Sequence, residues 1–511
     1  MEAFDSHCDR AVVGEGPVVD KLLNSREGQG TGARRILVAL LMALLTAATV
    51  LPIWAVKYPP LLDYPNHLAS SYVLAHLHDS LPFHSWYAAE WGPYPYVAMD
   101  VMLRALQFLL PIEVSGRMYL TFAVLALPAA MWFFLRQSNP GQDAIACWAL
   151  VGTHNIFFLL GFLNFYVGLA FAFLALGLWL KWSARPSPFS WLLAVLAFTA
   201  TYFSHLLAFG IAGIVVTAYW AFARRSVRSL LLTWLMFLPG ACCYLYSARI
   251  MEKQHSGFVF LDLSEKISNL HGIMHGYSDA LDVVTLVALC VYFLGAWFRN
   301  REFRWNWRWM GVGAVLLAVY FILPWAYGDG SDLDVRVLPV LFGITLAFAR
   351  VGRRAWWLAP LVLALFCVRV ADITYNYRSM QPELKGLAAS FDRTFPNARV
   401  LPIIQADKDS DALHHAFAHF WAYGVIRRHW FSPYLFELPG LNPLKVAQRS
   451  YTLDGFWDLD YRETPDWRAI QADYDFVWSY NAPQYDADLM KIGRLTYSDG
   501  KLRLYRLTAA R

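Results

Sequence analysis

The sequence predicts a polytopic α-helical membrane protein of about eleven transmembrane helices with a small C-terminal α/β or α+β domain outside the membrane. Three observations predict it. First, 58% of the 511 residues are hydrophobic and only 16% are charged, against roughly 25% charged in an average soluble domain. The mean hydropathy is +0.36. A water-soluble chain of this length has no interior large enough for so much apolar surface, so a bilayer is its natural solvent. Second, long apolar runs recur between short basic segments. Third, composition changes near Tyr375, after which apolar and charged residues alternate on a shorter scale.

The spans follow from the runs. The first covers 36–56, the second 114–135. The run 144–180 is too long for one helix across a core of about 30 Å at 1.5 Å per residue, so it divides near Gly161 and Asn164. The run 189–223 divides near Ser204-His205. Further spans are expected at 229–248, 282–298, 309–327, 335–349 and 355–373. Pro239 and Pro324 interrupt two of them.

Charge sets the orientation. Residues 1–33 are polar and Arg34-Arg35 precede the first apolar run, the pattern of a signal anchor with its N-terminus inside. Fifteen Lys and Arg residues then lie in the short inner segments, from Arg34 to Arg354. Seven lie in the longer outer loops, from Lys57 to Arg336. That asymmetry obeys the positive-inside rule and an odd span count leaves the C-terminus outside. The expected divisions are a cytoplasmic tail 1–35, a membrane domain 36–375 with outer loops 57–113, 251–281 and 328–335, and a periplasmic domain 376–511. The Arg- and Ala-rich composition suggests a bacterial inner (cytoplasmic) membrane. In the soluble part, Ala398–Gln405 and Tyr474–Tyr480 are expected as buried strands and Ala412–Ile426 as a helix.

Net charge is +5, but the basic residues form no face interleaved with aromatics, so nucleic acid is not an expected partner. The six cysteines show no paired zinc spacing, and none lies beyond Cys367.

Ionisable residues collect in the three outer loops. The first holds LLDYPNH, with Asp63 and His67. Asp63 is a candidate general base, since partial desolvation raises a carboxyl's proton affinity; helix capping is the alternative. The second runs from Glu252 to Asp282 and holds His271, His275 and Asp279. His271 and His275 are spaced i, i+4, so on a helix they share a face and are candidate ligands of a divalent metal ion; two solvated histidines are the alternative. The third contains Asp332, Asp334 and Arg336. A guanidinium at headgroup depth matches phosphate oxygens; a snorkelling anchor is the alternative. His205, at a turn between two spans, is either a headgroup contact or an interior hydrogen-bonding group. His414, His415 and His419 are expected as surface or packing residues.

In layout the chain resembles the GT-C superfamily of integral membrane glycosyltransferases, which includes the protein mannosyltransferases and the aminoarabinose transferase of lipid A. Asp63 in LLDYPNH matches the family's first-loop catalytic acid, and Arg336 in DVRVLP matches its late-loop arginine. Here the first-loop motif has one acid where several members have two, which leaves a divalent metal ion open. The resemblance implies an inverting glycosyltransferase with a polyprenyl-phosphate sugar as donor substrate and an envelope glycan, lipid or protein as acceptor. His67, His205, His271, His275, Asp279, Asp332, Asp334 and Arg336 are the expected substrate and lipid-phosphate contacts. Two other classes stay open: a lipid or glycan transporter or flippase, and a non-catalytic envelope assembly protein.

Overall fold

The computed structural model describes residues 40–508 except 141–142, 224–225, 252–256, 300–302, 328–329, 352–358, 406–412, 414–416, 455 and 457–463. The expected tail 1–35, Gly328-Asp329 of the third loop, and His414 and His415 lie outside the described residues. Residues 1–48 and 49–511 are two compact units, and the second contains all three outer loops and the C-terminal part.

Five described helices are long and apolar enough to cross a membrane: Ile112–Ser138, Leu163–Ala184, Leu206–Ala223, Asp279–Arg299 and the helical stretch Ala359–Arg393. Val227–Trp234 and Leu238–Ser247 form a sixth if counted together, bent by 49°. Pro239 stands in the first turn of the second piece, where its missing N–H breaks the hydrogen-bond ladder. Shorter apolar helices at Leu40–Trp54, Trp148–Leu159, Pro188–Ser204, Trp307–Ile322 and Val335–Thr345 occupy the remaining expected positions.

Both expected breaks are where the sequence places them. Gly161 has φ +79° and separates Ile156–Leu159 from Leu163–Ala184. His205 separates Pro188–Ser204 from Leu206–Ala223. Other expectations need correction. The stretch 144–159 is a series of short helical pieces, because Gly152 ends one and Asn155 caps the next by accepting the Phe157 and Phe158 N–H groups. The helix expected over 309–327 stops at Ile322; Pro324 cannot continue it. Ala326–Tyr327 instead pairs, antiparallel, with Phe258–Val259 of the second loop.

In the C-terminal part a four-stranded sheet runs in the order Val400–Ile404, Phe476–Tyr480, Leu502–Leu507, Gly493–Asp499. The first pair is parallel and the others antiparallel. Every residue of Val400–Ile404 and Phe476–Tyr480 is buried, as expected of strands covered on both faces. The helix expected over Ala412–Ile426 begins only at Ala422 and ends at Arg428, after turns at 417–421.

This part is bound to the first loop. Tyr87–Ala89 pairs with Leu444–Val446. The Gln381 side chain accepts the Lys57 and Tyr58 N–H groups and donates to the Tyr58 carbonyl. Arg427 bonds Glu113 at 2.8 Å and the Tyr58 hydroxyl at 2.7 Å. The second and third loops are joined by a buried ion pair, Lys266 Nζ to Asp334 Oδ2 at 3.1 Å. Lys266 also donates to the carbonyls of Tyr320, Phe321 and Leu323, which the end of the Trp307–Ile322 helix leaves unpaired.

Breaking that pair on one side strands a buried charge. Lys266→Met is expected to cost roughly 3–5 kcal/mol, and Lys266→Met with Asp334→Asn less than half of that. Thermal unfolding of the purified single and double variants measures the difference.

Candidate active site

Asp63 is the residue from which the Tyr64–His76 helix starts, yet its side chain makes no capping hydrogen bond. The capping alternative therefore fails, and the carboxylate is turned elsewhere. Its backbone N–H donates to the Leu160 carbonyl at 3.0 Å. That approach requires Gly161. A Cβ there would lie 2.9 Å from both the Asp63 and Tyr64 nitrogens, and φ is already in the left-handed region.

The next residue of the same turn, Phe162, lies under Arg336. The guanidinium carbon is 4.7 Å from the Phe162 ring centre and 5.5 Å from that of Phe165, an arrangement that favours a cation over a π face. Arg336 Nη1 donates to His205 Nε2 at 3.1 Å. The Leu207 N–H points at the other ring nitrogen, Nδ1, at 3.1 Å, so both nitrogens of His205 face donors. Tyr96 stacks on the His205 ring at 4.7 Å. Arg336 Nε is buried without a hydrogen-bond partner among the described residues, and among them Arg336 forms no ion pair. A turn of three residues, 160–162, thus holds the Asp63 backbone at one end and supports Arg336 at the other.

Burial pushes the Asp63 carboxyl up to about 7; the Arg336 charge works against that rise and Asp332 adds to it. The three groups are near enough to perturb one another. The Asp332 carboxylate itself is engaged, accepting from Trp325 Nε1 at 3.2 Å and from the Ser331 hydroxyl at 2.9 Å.

His419 is the residue that sequence reasoning missed. It lies in the C-terminal part, where the expectation was packing or surface, and its Nε2 is 3.5 Å from Asp63 Oδ1. No linear motif links the two positions, and the only signal was a cluster of histidines among aromatics at 414–421. His67 lies in the same neighbourhood; its ring and that of His419 both meet Phe436, at 4.8 and 5.3 Å. Burial lowers His67 to about 4, and burial together with His67 lowers His419 to about 3. Both are neutral at physiological pH.

The remaining expected site residues are employed differently. Asp334 is committed to Lys266. Leu270–Met274 is a 3₁₀ helix ending at His275. At three residues per turn, positions i and i+4 do not share a face, and the His271 and His275 rings stand 6.3 Å apart at 81°. His275 instead joins Asp279 and Asp282, with ligand atoms within 4.8 Å of one another. That set suits a divalent ion poorly, because Arg369 Nη1 already neutralises Asp282 at 2.9 Å. The Gly276 N–H also donates to Asp282, and Arg369 donates to Thr285 and Met274.

Comparison with known proteins adds the fold. No family model matches the sequence, and no curated protein matches it. Solved structures do, two of them of ArnT. The crystal structure of ArnT from Cupriavidus metallidurans in the apo state matches with a TM-score of 0.54 at 10% identity, over 93% of this chain and 98% of that one. Its structure bound to undecaprenyl phosphate matches with a TM-score of 0.51, also at 10% identity, over 92% and 97%. The chain has the fold of ArnT. The likeness takes in the C-terminal part as well as the apolar helices, since it spans nearly the whole of both chains.

Because Arg336 holds Asp63 toward its ionised form, Arg336→Gln is expected to move the Asp63 midpoint upward from about 7. The infrared carboxyl difference between each protein and its Asp63→Asn variant, followed against pH, reads that midpoint.

Proposed function

We propose that the protein is a glycosyltransferase that moves a sugar from a polyprenyl-phosphate donor to an acceptor hydroxyl of an envelope glycan, lipid or protein. The observation that carries this reading is the pairing, through one tight turn, of a carboxyl near neutrality with a half-buried guanidinium that has no ion-pair partner among the described residues. The first is suited to take a proton and the second to receive a phosphate. In the reaction the acceptor oxygen attacks the anomeric carbon as the C–O bond to phosphate breaks. Asp63 takes the hydroxyl proton, the polyprenyl phosphate leaves with the bonding electron pair, and Arg336 balances its negative charge. Attack opposite the leaving group inverts the anomeric configuration. The fold shared with ArnT, one of whose structures holds undecaprenyl phosphate, supports the same donor class.

The flippase alternative expects unpaired charge or broken helices at mid-membrane depth. Arg369 of Ala359–Ser379 is paired with Asp282 and offers no unpaired charge, while the span Val227–Trp234 with Leu238–Ser247 is broken by 49°.

Two measurements test this reading. Asp63→Asn is expected to lower transfer from undecaprenyl-phosphate sugars by about 10²-fold or more while the protein still binds undecaprenyl phosphate. Arg336→Gln is expected to weaken undecaprenyl phosphate binding by about 10–100-fold, the loss of a charge-assisted contact. Gly161→Ala touches neither side chain, yet is expected to diminish both transfer and binding. Full transfer by Asp63→Asn would remove Asp63 from its role, and unaltered binding by Arg336→Gln would remove Arg336 from its own.

A further inference from the structure

We infer that His419, contributed by the C-terminal part, is a positioning residue that orients the Asp63 carboxylate through a single fixed tautomer set by Asn66. The inference rests on the reading of Asp63 as the base. It starts from Asn66, whose amide orientation is decided by its partners. Its Oδ1 accepts the Phe436 N–H at 2.9 Å, and its Nδ2 donates to the Tyr434 carbonyl at 2.8 Å. Reversing the amide would set an oxygen against a carbonyl and an NH2 against an N–H, so it cannot flip. The second hydrogen of Nδ2 then faces His419 Nδ1 at 3.3 Å.

Nδ1 of His419 must therefore accept. The ring is buried and neutral, with one proton to place. That proton resides on Nε2, the atom 3.5 Å from Asp63 Oδ1. The contact is long for a hydrogen bond, as such contacts often are before substrate closes the site. It leads from Asn66 at the start of the Tyr64–His76 helix, through His419, and back to Asp63 at the head of the same helix.

The consequences are specific. The N–H is aimed at one carboxylate oxygen, Oδ1. It does not compete for the proton, because imidazole burial keeps His419 from charging. Its donation favours ionised Asp63. The other groups acting on Asp63 are Arg336, which also favours ionisation, and Asp332, which opposes it; His67, neutral, faces His419. The C-terminal part thereby takes part in the chemistry rather than only receiving the acceptor.

The test uses the purified full-length protein in detergent. His419→Phe keeps a ring against Phe436 and removes the donor; His419→Gln restores an N–H near the Nε2 position. The Asp63 midpoint, read as the infrared carboxyl difference against Asp63→Asn, is expected to rise by about half to one pH unit in His419→Phe and to return toward wild type in His419→Gln. An unmoved midpoint in His419→Phe, or equal shifts in both variants, overturns the inference. Nitrogen-15 spectroscopy of the histidines in unsubstituted protein is an independent arm, with His419 assigned by loss of its signal in a variant. A protonated Nε2 and bare Nδ1 are expected, and a protonated Nδ1 overturns the inference whatever the midpoints show. Asp63→Asn that retains transfer would instead sink the base assignment, with the tautomer result still standing.

Discussion

A half-buried guanidinium with no carboxylate closed upon it among the described residues is the constraint on which the rest of the structure depends. Removing a cation from water is costly unless something compensates it. Arg336 lies against His205 Nε2 and the two aromatic faces of Phe162 and Phe165. These stabilise the charge only in part, and Nε has no hydrogen-bond partner among the described residues. An arriving phosphate would complete what the fold leaves undone, and would meet donors already in place. Preorganisation of that kind gains its effect because no reorientation accompanies the developing charge.

The paired charges show the contrast. Lys266 with Asp334 and Arg369 with Asp282 are closed pairs, as is the half-exposed Arg427 with Glu113. Each joins segments distant in sequence, and each satisfies most of its donors internally. They hold loops and helices in register and leave little capacity for a ligand. Asp63 and Arg336 share one neighbourhood without closing on each other. The turn at Gly161 maintains that arrangement, because a side chain there would force the 160–162 backbone away from Asp63.

Much of this was legible from sequence. Hydropathy located the apolar helices, and excess length forced the breaks that fall at Gly161 and His205. Asp63 and Arg336 were conspicuous as ionisable groups flanking apolar runs. What was not legible depends on tertiary partners. Asp334 reads like Asp332 in sequence, yet Lys266 claims it. His271 and His275 have metal-like spacing only on an α-helix, and the backbone there is 3₁₀. Asp282, expected as one more loop acid, is bound by Arg369 from within a span. His419 becomes visible only when the segment around Ala422–Arg428 packs on the Tyr64–His76 helix. Its neighbourhood also departs from expectation in its secondary structure, since turns occupy 417–421.

The most direct test is an experimental structure of the full-length protein with undecaprenyl phosphate bound. The phosphate is expected within hydrogen-bonding distance of the Arg336 guanidinium, with the Asp63 carboxylate lining the same pocket. A phosphate seated away from Arg336, or Asp63 and Arg336 opening onto different surfaces, would contradict the shared-site reading.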